Sequence, residues 1–464
     1  MIKIYNTLSG KKEEFVPISG NKVNMYACGI TVSGNAHIGH LSQALVYDVI
    51  RKHLKKSGYD ITYARNYTDI DDKIIINANK LGIDPKIFAE EKIKEIDDDM
   101  SYFQIGEPDL WLKATENIDN IISFISTLIE KGYAYKTKNG DVYFSVEKFK
   151  GYGKLSNRNL EDALNGVRIE NDEEKNSPLD FALWKSAKPG EPFWASPFGN
   201  GRPGWHIECS VMNREAFGDQ IDIHGGGRDL IFPHHENEIA QTEAFTGKQF
   251  VKYWTHNGLV KINGQKMSKS LGNTILLKDL RKEQHPETVK YAMLQNSYHN
   301  DTNFSADIFK EAENHIYSFH KTIKAVEDTF KTTSSENTEI QNEFNESMND
   351  DFNTARAIGN LFKYFKVVNQ KLKANDDSAL ADIKAIKEAY SILGLFVNDS
   401  AQVIAYVENK NKADIPQEVV SLAEARKEAK QNKDYAKADE LRAQITSLGY
   451  VVKDSKDGYT IEKM

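Results

Sequence analysis

The chain has 464 residues, which is too long for one compact domain and predicts two to four domains. About 40% of the residues are hydrophobic and 28% are charged, so the chain can bury a sizeable core as a globular protein. No segment approaches the roughly 20 apolar residues of a membrane span, and the start of the chain lacks an apolar run of signal-peptide length. We therefore predict a cytoplasmic protein that does not enter a membrane. The net charge of −8 does not indicate a polyanionic partner, although phosphate binding needs only a local basic surface.

The first segment alternates strand and helix signals. Residues 23–27 and 61–64 are predicted strands, and between them apolar residues recur at helical spacing from about residue 39 to residue 57. A strand–helix–strand unit of this kind predicts a parallel sheet of the nucleotide-binding, Rossmann type.

Changes in composition divide the chain into further parts. We predict a doubly wound α/β domain in two halves, residues 1–115 and 203–303, interrupted by an inserted connective domain at residues 116–202. An α-helical bundle is predicted for residues 304–400, where glycine and proline are scarce. The remaining segment, residues 401–464, contains two helix signals and a short strand pair, which predicts a small separate domain.

Two short motifs have the chemistry of a nucleotide site. His37-Ile38-Gly39-His40 follows the first strand and opens the helix, where free N–H groups and the helix dipole attract phosphate. Lys266 and Lys269 lie in a glycine-flanked loop, Lys266-Met267-Ser268-Lys269-Ser270, that could close over a triphosphate. Taken separately, each motif has an ordinary alternative, namely surface histidines at a helix start and a solvated basic loop.

A third group of residues has the chemistry of a metal site. The chain has only two cysteines, Cys28 and Cys209, which should remain unpaired thiols in a reducing compartment. Pro233 suits the first position of a helix, which would place His234 and Glu238 on one face. Two thiols, an imidazole and a carboxylate are suitable zinc ligands. Buried free thiols and an ordinary helix face are the alternatives.

The two nucleotide motifs, in this order and about 230 residues apart, resemble the signatures of class I aminoacyl-tRNA synthetases. Several further segments resemble cysteinyl-tRNA synthetases in particular, over residues 1–303 and more loosely to the end of the chain. These segments are residues 26–29, 66–73, 180–185, 204–209, 224–230 and 232–238.

This resemblance implies ATP-dependent activation of L-cysteine to cysteinyl-adenylate, with Mg²⁺ bound to ATP, and transfer of cysteine to tRNA(Cys). It implies one zinc per chain, held by Cys28, Cys209, His234 and Glu238. It places Gly29, Thr68, Trp205 and His224 around cysteine, Gly225, Gly226 and Asp229 near the ATP ribose, and His37, Gly39, His40, Lys266 and Lys269 at the phosphates. Because a thiolate can bind zinc whereas the hydroxyl of serine binds it poorly, we expect selection without an editing domain.

The sequence also departs from the usual family pattern. The departures are Ile30, Ser33, Leu41, Ser42, Lys113 and Asn117. None of them is a proposed zinc ligand or phosphate contact, so they affect the expected rate and ATP geometry rather than the expected reaction.

Sequence features that could bind tRNA are weaker than those of the nucleotide and metal sites. Arg426, Lys430, Lys433 and Lys437 recur at helical spacing and could meet a phosphate backbone or form a solvated helix face. The family places a helical bundle, and then an anticodon-binding domain, in this part of the chain, and residues 348–355 resemble its bundle pattern. We expect a monomer. Two rival functions are a related ligase that joins cysteine to an amino sugar, which typically lacks the last domain, and a non-catalytic relative, which tends to lose the motif residues.

Overall fold

The computed structural model describes most of the chain and divides it into two compact units. One unit comprises Met1–Ile316 with Ala325–Val397, and the other comprises Tyr317–Lys324 with Asn398–Met464. Among the described residues, no helix combines the length and apolarity needed to cross a bilayer. The described residues are 1–159, 174–267, 271–413, 415–455 and 458–463.

The first unit is built on a five-stranded parallel sheet, preceded by a hairpin of β1 (Lys3–Asn6) and β2 (Lys11–Glu14). The five strands are β3 (Lys22–Thr31), β4 (Asp60–Thr68), β5 (Leu110–Lys113), β10 (Ile221–Gly227) and β11 (Val251–Asn257). Their order across the sheet is β11–β10–β3–β4–β5, and every neighbouring pair is parallel. The predicted parallel α/β sheet is therefore confirmed.

Helices connect and cover this sheet. Leu41, Leu45 and Val49 of the first helix are buried against it, as their spacing predicted. The helices are α1 (Ile38–Lys56), α2 (Asp72–Leu81), α3 (Pro85–Tyr102), α5 (Trp205–Phe217), α6 (Glu236–Thr246), α7 (Leu277–Glu283) and α8 (Pro286–Leu294).

The segment between the two halves of this sheet forms a small antiparallel sheet with one helix, α4 (Ile118–Glu130). Its strands are β6 (Ala134–Lys136), β7 (Val142–Phe144), β8 (Phe181–Ser186) and β9 (Gly201–Pro203), paired in that order. Strand β7 ends at Phe144, and a tight helical turn begins at Val146.

A third sheet follows and carries the lysine loop. Strand β12 (Val260–Ile262) lies between β13 (Gln265–Lys266) and β14 (Thr302–Phe304). Strand β13 pairs antiparallel with β12, so Lys266 is held opposite Lys261, whereas residues 268–270 lie outside the described residues.

The helical part of the chain begins with α9 (Ala306–Thr329), which contributes residues to both units. Helices α10 (Glu339–Asn349), α11 (Thr354–Lys373) and α12 (Ser378–Tyr390) follow in the first unit. The turn between α10 and α11 is unusual because Asp351 and Phe352 both have left-handed backbone angles, with φ of 62° and 52°.

Asp351 ties this turn to the sheet domain. Its Oδ1 accepts hydrogen bonds from the backbone N–H of Tyr5, at 2.8 Å, and from the hydroxyl of Tyr298, at 3.0 Å. Its Oδ2 lies 3.0 Å from Nε2 of His299. A buried carboxylate with three partners from distant segments offsets the local backbone strain.

We expect Asp351→Asn to lower the free energy of unfolding by about 2 kcal/mol, since a neutral amide replaces the charge-assisted hydrogen bonds of the buried carboxylate with weaker ones. Asp350→Asn is the matched control. The carboxylate of Asp350 is 46% exposed and pairs only with exposed Lys12 among the described residues, so we expect a loss below about 1 kcal/mol. Urea unfolding measures both, and equal losses would contradict the role given to Asp351.

Beyond its share of α9, the second unit contains three helices in its described residues, rather than the two that the sequence suggested for residues 401–464. They are α13 (Ser400–Ala413), α14 (Gln417–Gln431) and α15 (Tyr435–Ser447), and the hairpin of β15 (Tyr450–Ser455) and β16 (Gly458–Lys463) follows. The sequence analysis missed α13 because few of its apolar side chains are fully buried, chiefly those of Val403 and Val407.

The predicted basic row is not one helical stripe, because Arg426 and Lys430 lie on α14, Lys437 lies on α15, and Lys433 stands in the turn between them with φ of 60°. Three of the four side chains are also engaged in ion pairs. Arg426 is buried and forms a bidentate pair with Asp454, which also accepts from Lys430. Lys437 pairs with Glu440. These pairs make part of the row a structural feature of this unit rather than a free phosphate-binding surface.

Candidate active site

A cavity of about 440 Å³ opens where β3 and β4 end, against the start of α1. Ligand sites in open parallel sheets form at this edge of the sheet. Of the residues predicted from the sequence, eleven line the cavity: Cys28, Gly29, His37, Gly39, His40, Thr68, Trp205, Cys209, Asp229, His234 and Lys266. His224, Gly225, Gly226 and Glu238 are buried outside this lining, and Lys269 lies outside the described residues.

The floor of the cavity is a buried cluster of metal-binding side chains. The two cysteines are free thiols with their Sγ atoms 3.9 Å apart. Oε1 of Glu238 lies 3.6 Å from Sγ of Cys28 and 3.1 Å from Nε2 of His234. The four ligand atoms all lie within 4.8 Å of one another.

This cluster fits a tetrahedral metal ion. Zinc bonds of about 2.0–2.3 Å place neighbouring ligand atoms about 3.3–3.8 Å apart, close to the separations observed here. Burial and the hydrogen bond to Cys209 raise the pKa of Cys28 well above its usual value. A buried pair of thiols next to a carboxylate is therefore a set of donors that a cation would stabilise.

The cluster lies where the chain enters α6. Residues Ile231–His235 form a π-type turn with a cis peptide between Phe232 and Pro233, and α6 follows from Glu236. Within this turn Phe232 alone leaves helical backbone angles, with φ of −136° and ψ of 129°, so the helical backbone resumes at Pro233, the first helical position that the sequence predicted. His234 and Glu238 are therefore i and i+4 and face each other.

A second layer of histidines surrounds the ligands. Nε2 of His224 lies 2.8 Å from the other carboxylate oxygen of Glu238. Burial alone would raise the pKa of Glu238, but the facing His224 and His234 lower it to about 2. His235 connects Sγ of Cys28, at 3.3 Å, to the ring of His256, at 2.8 Å.

Because of this layer, the described residues contain a second possible set of four ligands. This set consists of Cys28, His224, His235 and Glu238 and shares two residues with the first. Only the first set lines the cavity with both thiols and His234. The sequence analysis did not single out His235, since it is one of two adjacent histidines and spacing alone does not distinguish them.

The two histidines of the first motif stack at the start of α1. Their ring centroids are 3.6 Å apart with 16° between the planes. The backbone N–H of His37 donates to Nδ1 of His40 at 3.2 Å, so a neutral His40 carries its proton on Nε2 and can donate it to a ligand.

The loop that carries the lysines is attached to this same turn. The N–H of Ile38 donates to the carbonyl of Ile275, and the N–H of Leu277 donates to the carbonyl of Ala36. A Cβ added to Gly39 would lie 3.3 Å from Cε of Met267, so glycine permits the close approach of the two segments. Lys266, the described lysine of the motif, lines the cavity beside them.

The remaining wall contains the side chains predicted for the amino acid. The ring of Trp205 stacks on His234 with centroids 4.4 Å apart, and its side chain remains partly exposed. Oγ1 of Thr68 accepts from Asn66 at 3.4 Å, and Oδ1 of Asn66 accepts from the N–H of Gly29 at 2.8 Å. Asn66 was quoted in a motif but not recognised as a site residue.

Three protein families match successive parts of the chain. The family described as the class I (C) tRNA synthetase catalytic domain matches residues 14–314, the DALR domain matches residues 343–397, and the cysteinyl-tRNA ligase anticodon binding domain matches residues 412–461.

Solved structures share the fold at low sequence identity. A methionyl-tRNA synthetase of Mycobacterium tuberculosis in complex with methionyl-adenylate has a TM-score of 0.60 at 12% identity, covering 83% of this chain and 93% of that one. A leucyl enzyme of Agrobacterium radiobacter K84, from a complex with tRNA, has a TM-score of 0.57 at 10% identity, covering 84% and 87%. The fold and the catalytic-domain match define a class I aminoacyl-tRNA synthetase.

Curated relatives of higher sequence identity show which family within this class the chain belongs to. A cysteine–tRNA ligase of Thermodesulfovibrio yellowstonii is 46% identical over 478 residues, covering 98% of each chain. That of Pseudomonas aeruginosa is 46% identical over 462 residues, covering 99% of each. The chain belongs to the cysteine–tRNA ligase family, and the resemblance inferred from its sequence is confirmed.

Proposed function

We propose that the chain activates L-cysteine with ATP and Mg²⁺, and transfers the cysteinyl group of the adenylate to tRNA(Cys) as a monomer. The supporting observation is the meeting of two chemistries in one cavity. A metal-ligand cluster lies on its floor, and the histidine turn with the start of the lysine loop lies at its side.

In this proposal Cys28, Cys209, His234 and Glu238 hold one zinc ion. Zinc, when bound, supplies a soft Lewis acid that prefers a thiolate to a hydroxyl. A site with one such specific contact can reject the analogue lacking it by about 10⁴–10⁵, so the proposal includes no editing step.

The side chains around the ligands position the amino acid. Trp205 covers the thiol side of the cavity by its stack on His234, and Thr68 and Gly29 offer polar contacts. The sequence analysis gave His224 a direct contact with cysteine. The structure instead engages His224 with Glu238, away from the cavity lining, so we assign it the orientation of that ligand.

The activation step moves charge onto phosphate. The carboxylate of cysteine attacks the α-phosphorus of ATP, the bond to the β-phosphate oxygen breaks, and pyrophosphate leaves with the electron pair. Donors from His37 and His40, with the positive charges of Lys266 and Lys269, stabilise that developing charge. Asp229 at the cavity wall, with Gly225 and Gly226 behind it, is assigned to the ribose end of ATP.

Transfer of the cysteinyl group requires tRNA, and the match of an anticodon-binding domain to residues 412–461 supports that acceptor over an amino sugar. The presence of His37, His40, Lys266 and Lys269 supports an active enzyme over a non-catalytic relative.

Charging of total bacterial tRNA with labelled cysteine, in the presence of ATP, magnesium and zinc, tests the proposal. We expect acid-precipitable label on tRNA. Cysteine-dependent pyrophosphate exchange without charging would instead indicate a ligase with another acceptor, and the absence of both activities would favour a non-catalytic relative. Omission of ATP is the control, because it should abolish charging.

A further inference from the structure

Helix α1 directs a row of polar side chains toward the site. His40, Gln43 and Tyr47 stand at positions i, i+3 and i+7, which fall on one helical face. His40 and the largely buried Gln43 both line the cavity, whereas Tyr47 is fully buried outside its lining, and neither Gln43 nor Tyr47 has a role in the function proposed above.

The hydroxyl of Tyr47 joins two strands below the glycine-rich turn. It accepts a hydrogen bond from the N–H of Gly226 at 2.6 Å and donates to the carbonyl of Thr255 at 2.8 Å, with the carbonyl of Gly226 also within 3.1 Å. Burial raises the pKa of Tyr47 further above neutrality, so the hydroxyl keeps the proton that it donates. One side-chain atom therefore fixes the peptide of Gly226 relative to the end of β11.

The ring of Tyr47 also explains the glycine beside that peptide. A Cβ added to Gly225 would lie 2.2 Å from Cε1 of Tyr47, a separation that no side chain could occupy. Gly227, two residues after Gly225, lines the cavity, as does Asp229. The turn assigned to the ribose thus rests on Tyr47 through both packing and hydrogen bonding.

Gln43 makes the corresponding contact at the metal end of the row. Its Nε2 donates to the carbonyl of Cys28 at 2.6 Å. On the other side of that carbonyl, the N–H of Gly29 donates to Asn66, so the peptide that carries the first proposed ligand is held from both α1 and β4.

We propose that Tyr47 and Gln43 are positioning residues, with Tyr47 setting the glycine turn for the nucleotide and Gln43 setting the Cys28 peptide for the thiol end of the site. This proposal rests on the proposed function. Helix α1, which begins with the histidines assigned to the phosphates, thereby fixes the distance between the ATP end and the cysteine end of the cavity. The reaction between ATP and cysteine requires this distance to be held.

Tyr47→Phe tests the nucleotide half of the proposal. Loss of the hydroxyl leaves the buried N–H of Gly226 unpaired, and we expect the KM for ATP in pyrophosphate exchange to rise about tenfold while the KM for cysteine changes less than about twofold. Tyr63→Phe is the matched control, since Tyr63 is equally buried and its hydroxyl has no hydrogen-bond partner among the described residues. Equal rises in both KM values would overturn the assignment.

Hydrogen exchange provides a readout that does not depend on the reaction. We expect faster amide exchange at Gly226 in Tyr47→Phe than in wild type or Tyr63→Phe, measured on the full chain, and unchanged exchange there would overturn the role of Tyr47. If wild type fails in pyrophosphate exchange, the proposed function fails, whereas calorimetric binding of ATP alone still tests Tyr47. In that case ATP should bind the variant about tenfold more weakly, and equal binding would overturn the proposal.

Gln43→Met tests the other half, because methionine keeps the length of the side chain and removes its donor. We expect the opposite pattern, with a raised KM for cysteine, a nearly unchanged KM for ATP, and faster release of zinc to a chromogenic chelator. The same pattern for Tyr47→Phe and Gln43→Met would show a general loss of structure and would overturn the division of roles along α1.

Discussion

Cys28→Ser is expected to lose stoichiometric zinc and to abolish most of the preference for cysteine over serine. Cys28 belongs to both possible ligand sets of the buried cluster, so its replacement removes a thiolate from either. A serine hydroxyl at this position is a poor zinc ligand, and the remaining buried carboxylate would lose the cation that stabilises it. We expect cysteine-dependent pyrophosphate exchange to fall at least about 100-fold.

Two further variants distinguish the ligand sets. Cys209→Ser should lose zinc as Cys28→Ser does, because the proposed set contains Cys209, whereas His235→Asn should keep it. We choose the set with both cysteines because thiolates are the softer ligands and because this set is accessible to the substrate. Two thiolates favour zinc over one, and both thiols with His234 face the cavity that the substrate must enter.

Elemental analysis of the purified full-length variants, after dialysis against a metal-free buffer, measures the zinc content, and pyrophosphate exchange with cysteine and with serine measures selectivity. Ser210→Ala is the control, since Ser210 is buried next to Cys209 and belongs to neither ligand set. If His235→Asn loses zinc but Cys209→Ser keeps it, the zinc ligands are instead the second set, Cys28, His224, His235 and Glu238.

Sequence reasoning predicted the residues of the buried cluster and the two motifs because their side chains are chemically distinctive and their segments resemble one family. It could not reach the residues that hold them in place. Gln43 and Tyr47 lie on an apolar helix whose pattern indicates only which face is buried. Their partners, the carbonyl of Cys28 and the peptide of Gly226, are backbone groups up to 179 positions away, which no side-chain spacing can indicate.

The geometry around Pro233 shows what local sequence can and cannot predict. Proline at a helix start predicted that His234 and Glu238 stand at i and i+4, and the structure has this relation, because Phe232 is extended and the helical backbone resumes at Pro233. The contact of Glu238 with His224 could not be predicted in this way, because His224 lies on a separate strand and meets the helix only through tertiary packing.

His40→Ala is expected to slow adenylate formation by about 10²–10³, which is the usual cost of removing one donor from a developing oxyanion. The N–H of His37 donates to Nδ1 of His40, so the neutral ring carries its proton on Nε2, the donor that the proposed function assigns to the phosphate. His40 belongs to neither possible ligand set, so zinc content and cysteine affinity should be retained.

Single-turnover formation of the adenylate measures this effect, with zinc content measured on the same sample. His40→Gln should recover part of the rate, because its terminal amide carries a donor close to the position of Nε2, whereas His40→Leu should behave as alanine does. Recovery by glutamine separates a donor from a packing role, since leucine also fills the volume. An unchanged rate in His40→Ala, or equal rates in the glutamine and leucine variants, would remove His40 from the stabilisation of charge and leave it only the stacking contact with His37.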